Sequence, residues 1–185
     1  MTKPLILFFA AALLAVPAMR GHAQQSAPVD QESYLFGEVR TLTPDNRLLT
    51  TTLSLVRRVL KPSENRIVEI VETIEAGKPV REFTTVFEIA GAKFTIKDQE
   101  GTFSGHGELV GKPWEWTGWN YEVEMLGPRK GRLKGEDVLG PTGLSVRKSF
   151  ITPDGTTRAL FTEELRPIGK AAYDILRGKL VPEQK

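Results

Sequence analysis

RIVEIVETIEAGKPVREFTTVFEIA, residues 66–90, contains two runs in which apolar and polar side chains alternate. Alternation with a period of two is typical of a half-buried β-strand. The segment between the runs, Ala76-Gly77-Lys78-Pro79, has the composition of a hairpin turn. In the first run, Val68, Ile70 and Ile74 form the predicted apolar face. We therefore predict two antiparallel strands joined by a tight turn.

The same alternation recurs along the chain between short clusters of turn residues, of which Thr152-Pro153-Asp154-Gly155 is a strong hairpin pattern. The predicted strands cover residues 34–42, 48–60, 66–74, 80–90, 93–97, 101–110, 114–126, 132–139, 144–151 and 156–165. Short connections favour antiparallel neighbours, and a long meander hides its edges by rolling up. We predict an all-β fold, an antiparallel up-and-down β-barrel or half-barrel of about ten strands, with a short C-terminal helix over residues 167–179.

The first 23 residues have the pattern of a signal peptide: a basic Lys3, an apolar run over residues 5–16, and small residues before a cut after Ala23. The apolar run is shorter than the roughly 20 residues of a membrane-spanning helix. The alternatives to a signal peptide are an N-terminal membrane anchor and a core helix, and the alternative cleavage position is after Ala18. We predict export, to a bacterial periplasm or as a secreted protein, and no transmembrane segment after the signal is removed.

After the signal peptide, residues 24–33 are small and polar and predict a disordered lead. Residues 34–181 then form one predicted domain. The signal contains two basic residues and no acid, so the remaining chain has 23 residues of each sign and no net charge. This balance argues against nucleic acid as a partner. The chain has no cysteine, which excludes disulfides and thiolate-bound metals. We predict no cofactor and no metal.

The strand pattern over residues 34–180 resembles the calycin architecture of lipocalins and fatty-acid-binding proteins. The most similar local segment runs from Ser104-Gly105-His106-Gly107-Glu108-Leu109 through Trp119-Asn120-Tyr121, and it is similar to uncharacterised periplasmic members of that superfamily. The Gly-x-Trp that lipocalins have near the first strand is replaced here by Phe36-Gly37-Glu38. The resemblance implies a barrel that holds a small molecule, with an inward arginine that meets a ligand carboxylate.

All three tryptophans lie within six residues of one another. In a regular strand Trp114 and Trp116 share one face and Trp119 lies on the other, unless Gly118 makes a bulge. Such a cluster predicts either an aromatic wall of a ligand pocket or ordinary barrel packing. The predicted ligand-binding residues are Trp114, Trp116, Trp119, Tyr121, Phe103 and Arg57.

Arg57 and Arg58 are adjacent, so one of them faces inward in a regular strand. We name Arg57 as the candidate polar anchor. The alternative is an internal ion pair with an inward acid such as Glu72, which interrupts the apolar face of its own strand.

His106 is the one histidine after the predicted signal, and it shares a face with Ser104 and Glu108. It is a candidate general base, although a surface histidine would give the same pattern. Further carboxylates available for acid–base chemistry are Glu115, Glu122, Glu124 and Asp137. The predicted function is binding of an apolar or amphipathic small molecule inside the barrel. The alternatives are a structural or interaction protein of the envelope and an isomerase- or dehydratase-like enzyme that uses His106.

Overall fold

The computed structural model describes residues 29–126 and 130–180 and consists of ten β-strands followed by one α-helix. The strands are β1 (Gln31–Leu42), β2 (Leu48–Lys61), β3 (Arg66–Ile74), β4 (Arg81–Ala90), β5 (Lys93–Asp98), β6 (Phe103–Lys112), β7 (Glu115–Met125), β8 (Gly131–Gly140), β9 (Gly143–Ile151) and β10 (Thr157–Ile168). The helix, α1, spans Lys170–Leu180. None of the helical structure in this part of the chain is long and apolar enough to cross a membrane.

Hydrogen bonding closes the sheet into a barrel. Each strand pairs antiparallel with the next one in sequence, and β1 pairs with β10 as well as with β2. Closure provides every strand with two neighbours, which is how a long meander avoids exposed edges. The predicted all-β up-and-down fold is confirmed, and of the two predicted forms the full barrel is the one that is present.

The first strand begins earlier than predicted. Gln31, Glu32 and Ser33, which the sequence places in the disordered lead, pair with the end of β2 and belong to β1. Their polar composition conceals this pairing, because only backbone groups make the ladder. The predicted signal peptide, residues 1–23, and residues 24–28 of the predicted lead lie outside the described residues.

The C-terminal helix begins later than predicted, at Lys170 rather than at Pro167. Pro167 is instead a residue of β10 and pairs with Leu35 of β1. The pairing of β10 with β9 ends at Leu165, so Pro167 has a neighbouring strand on one side only. Proline is tolerated at such a position because no second ladder requires its missing N–H.

Alternating side chains from all ten strands fill the barrel. Its buried apolar core consists of Leu35, Val56, Ile67, Phe87, Phe94, Ile96, Leu109, Trp119, Val123, Leu144, Val146 and Leu165. Nine of the ten strands contribute to this set, and Leu133 of β8 packs against it. Such a core holds the wall rigid, and the rigid wall positions the interior side chains described below.

The inward face of β3 is the opposite of the predicted one. Ile67 and Val71 pack in the barrel core and Glu69 lines its interior, whereas Ile74 packs outside against the helix. Both faces of β3 are largely apolar because the helix covers part of its outer side. Alternation alone could not identify the inner face of a strand that is apolar on both sides.

A second, smaller cluster fixes α1 to the outer surface of the barrel. Tyr173 of the helix packs against Leu55 and Tyr34, with the two tyrosine ring centroids 4.8 Å apart. Glu72 of β3 lies beneath the helix with no exposed surface, and its Oε1 accepts a 2.7 Å hydrogen bond from Nε of Arg177. Burial raises the pKa of Glu72, and the Arg177 charge opposes that rise. Glu72 is therefore an outer residue, not the inward acid predicted from the sequence.

Candidate functional site: the barrel interior

The described residues enclose two cavities inside the barrel. The first, which we call the central cavity, has a volume of about 280 Å³. The second, the end cavity, has a volume of about 330 Å³ and lies at the end of the barrel where β6 turns into β7. Volumes near 300 Å³ are at the lower end of the range for small-molecule sites, which runs from roughly 300 to 1,000 Å³.

The two cavities have four lining residues in common, which we call the dividing layer: Arg58, Glu69, Phe87 and Trp119. Arg58 is only 8% exposed, and its Nη2 lies 2.5 Å from Oε1 of Glu69. Its guanidinium carbon also lies 4.8 Å from the centroid of the Trp119 ring. The Glu69 carboxylate and the face of the Trp119 ring thus both stabilise the buried Arg58 cation. Without such partners a buried guanidinium would be costly.

A β-bulge brings the tryptophans together. Val110 pairs with Gly118 and Gly111 pairs with Trp116, so Thr117 has no partner across the ladder. The extra residue shifts the alternation by one, so the side chains before it point to the opposite side of the sheet. As a result, the end cavity is lined by Trp114, Trp116 and Trp119. The bulge that the sequence analysis gave as the exception at Gly118 is present, and its unpaired residue is the adjacent Thr117.

Trp114 has an unusual backbone. It occupies the second position of the two-residue turn between Lys112 and Glu115, with φ at +63°. This left-handed region favours glycine and costs a bulky residue about 1–2 kcal/mol. The turn places the Trp114 ring 4.7 Å from the Trp116 ring, centroid to centroid. The strain is therefore associated with an aromatic pair at the mouth of the end cavity.

A second ion pair lies in the central cavity, between Lys148 of β9 and Glu163 of β10. Burial acts to lower the pKa of Lys148, but the negative charge of Glu163 outweighs it and the pKa lies above its ordinary value. Lys148 is therefore a cation inside the barrel. Tyr121 lies beside this pair, and burial raises the pKa of its phenol well above the ordinary value.

Gly135 makes room for the Tyr121 ring. A Cβ at position 135 would lie 2.1 Å from Cζ of Tyr121, closer than any real contact. Gly135 faces Tyr121 directly across the ladder between β7 and β8. The missing side chain therefore lets the phenol lie flat against the wall and leaves space in the central cavity.

Asp137 is the third carboxylate of the interior. It lines the central cavity, is 7% exposed, and its Oδ1 has no hydrogen-bond partner among residues 29–126 and 130–180. Burial raises the pKa of Asp137 to about 7, against the lowering effect of Lys148. The central cavity is thus lined by two ion pairs and one carboxyl group that neither pair neutralises.

Five of the six predicted ligand-binding residues line the interior. Trp114 and Trp116 lie at the end cavity, Trp119 in the dividing layer, and Tyr121 and Phe103 at the central cavity. The aromatic side chains are thus spread along the length of the barrel rather than gathered in a single wall.

Arg57, the sixth, is on the outside of the barrel, where it pairs with Glu32. The inward arginine is its neighbour, Arg58. Arg58 makes an internal ion pair, which was the alternative in the sequence analysis, but its partner is Glu69 and not Glu72. The inner face of β2 carries Ser54 and Val56, and Arg58 continues that alternation.

His106 is exposed on the outer face of β6, where it pairs with Thr95 and Glu122 of the adjacent strands. It lines neither cavity. The candidate general base therefore lies outside both the central cavity and the end cavity.

Lys148 and Glu163 were not predicted from the sequence. Lys148 follows the inward Leu144 and Val146 at a spacing of two, and Glu163 precedes the inward Leu165 at the same spacing. Extending the alternation by one step would have placed both side chains inside the barrel.

No protein-family model matches the chain, and no curated protein matches it either. Within the described ranges, no group of three or more acidic or histidine side chains is arranged to hold a metal ion. The site is consequently interpreted from its geometry.

Proposed function

We propose that this protein binds an apolar or amphipathic small molecule inside its barrel. The observation that supports this proposal is the pair of internal cavities, whose walls combine aromatic and aliphatic side chains with a few buried charged groups. Mostly apolar cavities with a small number of placed polar groups are typical of ligand sites. A barrel with no such role fills its interior with side chains.

The aromatic residues contribute most of the contact surface in this proposal. Trp114 and Trp116 form the mouth, and Trp119 separates the end cavity from the central one. A ligand that enters between the tryptophans would bury an apolar chain against flat rings. Each ring provides a large contact area at low cost in side-chain entropy.

The test is binding of the neutral fluorescent probe N-phenyl-1-naphthylamine to the purified protein. Val71 lines the central cavity, so Val71→Trp fills part of it, whereas Val110 is 49% exposed on the outer wall. We expect saturable binding by the wild type and by Val110→Trp. In Val71→Trp we expect affinity to fall about tenfold, the equivalent of ~1.4 kcal/mol of lost contact.

Circular dichroism of Val71→Trp shows whether the barrel has remained intact. Absence of saturable binding by the wild type would refute the proposal. Equal binding by both tryptophan variants would refute it as well, because the probe would then sit outside the barrel.

We also propose that the protein is exported and that residues 1–23 are removed. The support is in the sequence: a basic start, a short apolar run and small residues before Gln24. Amino-terminal sequencing of the protein from the periplasmic or culture-medium fraction is expected to begin at Gln24. Recovery of the chain beginning at Met1 in the cytosolic fraction would contradict export.

A further inference from the structure

We infer that the ligand of the central cavity carries a hydrogen-bond-donating, preferably cationic, amine group that pairs with Asp137. The inference rests on the proposed function and specifies its ligand class. It stands on the arrangement of charged groups inside the barrel.

The cations of the interior are already engaged. Arg58 contacts Glu69 and the face of Trp119, and Lys148 contacts Glu163. A ligand carboxylate would have to displace one of these buried acids, which leaves that acid without its cation. The inward arginine therefore does not act as an anchor for a fatty acid.

The carboxyl group of Asp137 has an oxygen that is not engaged. Its Oδ1 lacks a hydrogen-bond partner within the described part of the chain, and the side chain faces the central cavity while more than nine-tenths of it is buried. A buried polar atom without a partner is costly unless something satisfies it. A donor on a bound ligand would do so.

The position of Asp137 in the wall favours this role. It lies on β8 between Trp119 of β7 and Val146 of β9, its direct cross-strand neighbours. A ligand whose apolar part packs on Trp119 has its polar end within reach of Asp137. Aromatic contact and charge recognition thus occur on adjacent strands.

The ionisable groups that face Asp137 come from five strands: Arg58 of β2, Glu69 of β3, Tyr121 of β7, Lys148 of β9 and Glu163 of β10. The two cations and the two glutamates are paired with each other, and burial keeps the phenol neutral. Ionised Asp137 is therefore the one excess negative charge of this cavity. An ammonium group neutralises it, and a carboxylate adds to it.

The experiment compares three probes with the same alkyl chain, decylamine, decanol and decanoic acid, by isothermal titration calorimetry at pH 8. We expect decylamine to bind about tenfold more tightly than decanol, because hydrogen bonds to charged groups exceed neutral ones by about 1.4 kcal/mol. Decanoic acid is expected to bind more weakly than decanol. The Asp137→Asn variant should lose the preference for the amine and bind decanol as the wild type does.

A second readout is the pH dependence of decylamine binding to the wild-type protein. Burial raises the pKa of Asp137 to about 7, so its ionised fraction rises roughly tenfold between pH 6 and pH 8 while the alkylammonium stays protonated. Affinity for decylamine is expected to rise by the same factor, and to stay flat in Asp137→Asn. The exposed variant Asp45→Asn is the matched control and should behave as the wild type.

Two different failures are distinguishable. Equal affinities for the three probes, or tighter binding of decanoic acid, would overturn the inference while the barrel remained a binding site. Binding of none of the probes would overturn both the inference and the proposed function.

Discussion

Replacing Asp137 with asparagine is expected to stabilise the protein at pH 8 and to change its stability little at pH 4. Burial raises the pKa of Asp137 to about 7, whereas the ordinary value is 3.8. Because the folded-state pKa is the higher one, the folded protein holds a proton between these pH values that the unfolded chain has lost. Stability from this group is therefore complete below pH 3.8 and is lost as the pH rises through 7.

The size of the effect follows from the pKa difference. At 1.36 kcal/mol per unit, the shift corresponds to about 4 kcal/mol above pH 7. The effective dielectric constant of a protein interior is higher than that of dry protein, which reduces this value, so we expect about 2 kcal/mol in practice. Asparagine has nearly the same shape and never ionises. It removes the penalty at pH 8 and has nothing to remove at pH 4.

The assay is urea unfolding of the wild type and Asp137→Asn at pH 4 and pH 8, with Asp45→Asn as an exposed control that should differ from the wild type by less than about 0.5 kcal/mol. Glu72 also has a raised pKa, but it is present in every variant and cancels in the difference. If Asp137→Asn were less stable than the wild type at pH 8, or if the difference did not depend on pH, Asp137 would have a stabilising partner and the reasoning would be refuted.

Three further changes test other parts of the interior and the helix contact. Arg58→Met should destabilise the protein by about 3–5 kcal/mol in urea unfolding because it leaves Glu69 buried without its cation, and a second change, Glu69→Leu, should restore most of the loss. Trp114→Gly should be more stable than Trp114→Ala by about 1 kcal/mol in thermal unfolding, since glycine adopts the positive φ of this position without strain and alanine does not. Equal stabilities of the two variants would mean that the turn is unstrained. Arg177→Ala should destabilise the protein by about 1–3 kcal/mol, because the Glu72 carboxylate beneath α1 loses its cation and keeps only the Tyr173 hydroxyl as a partner. Glu72→Gln combined with it should recover stability, and additive losses would argue against the pairing.

The barrel was predictable because its sequence signal is local. Alternation with a period of two, interrupted by turn clusters such as Thr152-Pro153-Asp154-Gly155, marks strand after strand. In β7 the polar side chains of Asn120 and Glu124 lie opposite Tyr121 and Val123, so the inner face was unambiguous. Where only one face of a strand is apolar, the sequence identifies the face that points inward.

The inner face of β3 was not predictable in that way. Ile67 and Val71 lie on one face, and Val68 and Ile70 lie on the other. Both faces are apolar, and α1 covers part of the outer one. Which face points inward depends on pairing with β2 and β4 and on where the helix packs, and neither of these is a local property of the sequence.

The buried charges escaped prediction for a different reason. Lysine and glutamate usually face solvent, so Lys148 and Glu163 read as surface residues although their spacing places them inward. They pair because β9 and β10 are adjacent in the closed sheet. Nothing in the sequence favoured Asp137 over the carboxylates of Glu122 and Glu124. Asp137 differs from them in its burial and in an Oδ1 atom that has no hydrogen-bond partner within the described residues.

The measurement that tests the central proposal most directly is native mass spectrometry of the full chain, expressed with its N-terminal segment and purified without detergent. The account predicts a near-stoichiometric small-molecule adduct that is released on denaturation and is reduced in Val71→Trp. Release of an amine-bearing apolar molecule would in addition support the role of Asp137. A clean protein mass, together with no binding of N-phenyl-1-naphthylamine or decylamine, would contradict the account, because the interior would then bind nothing.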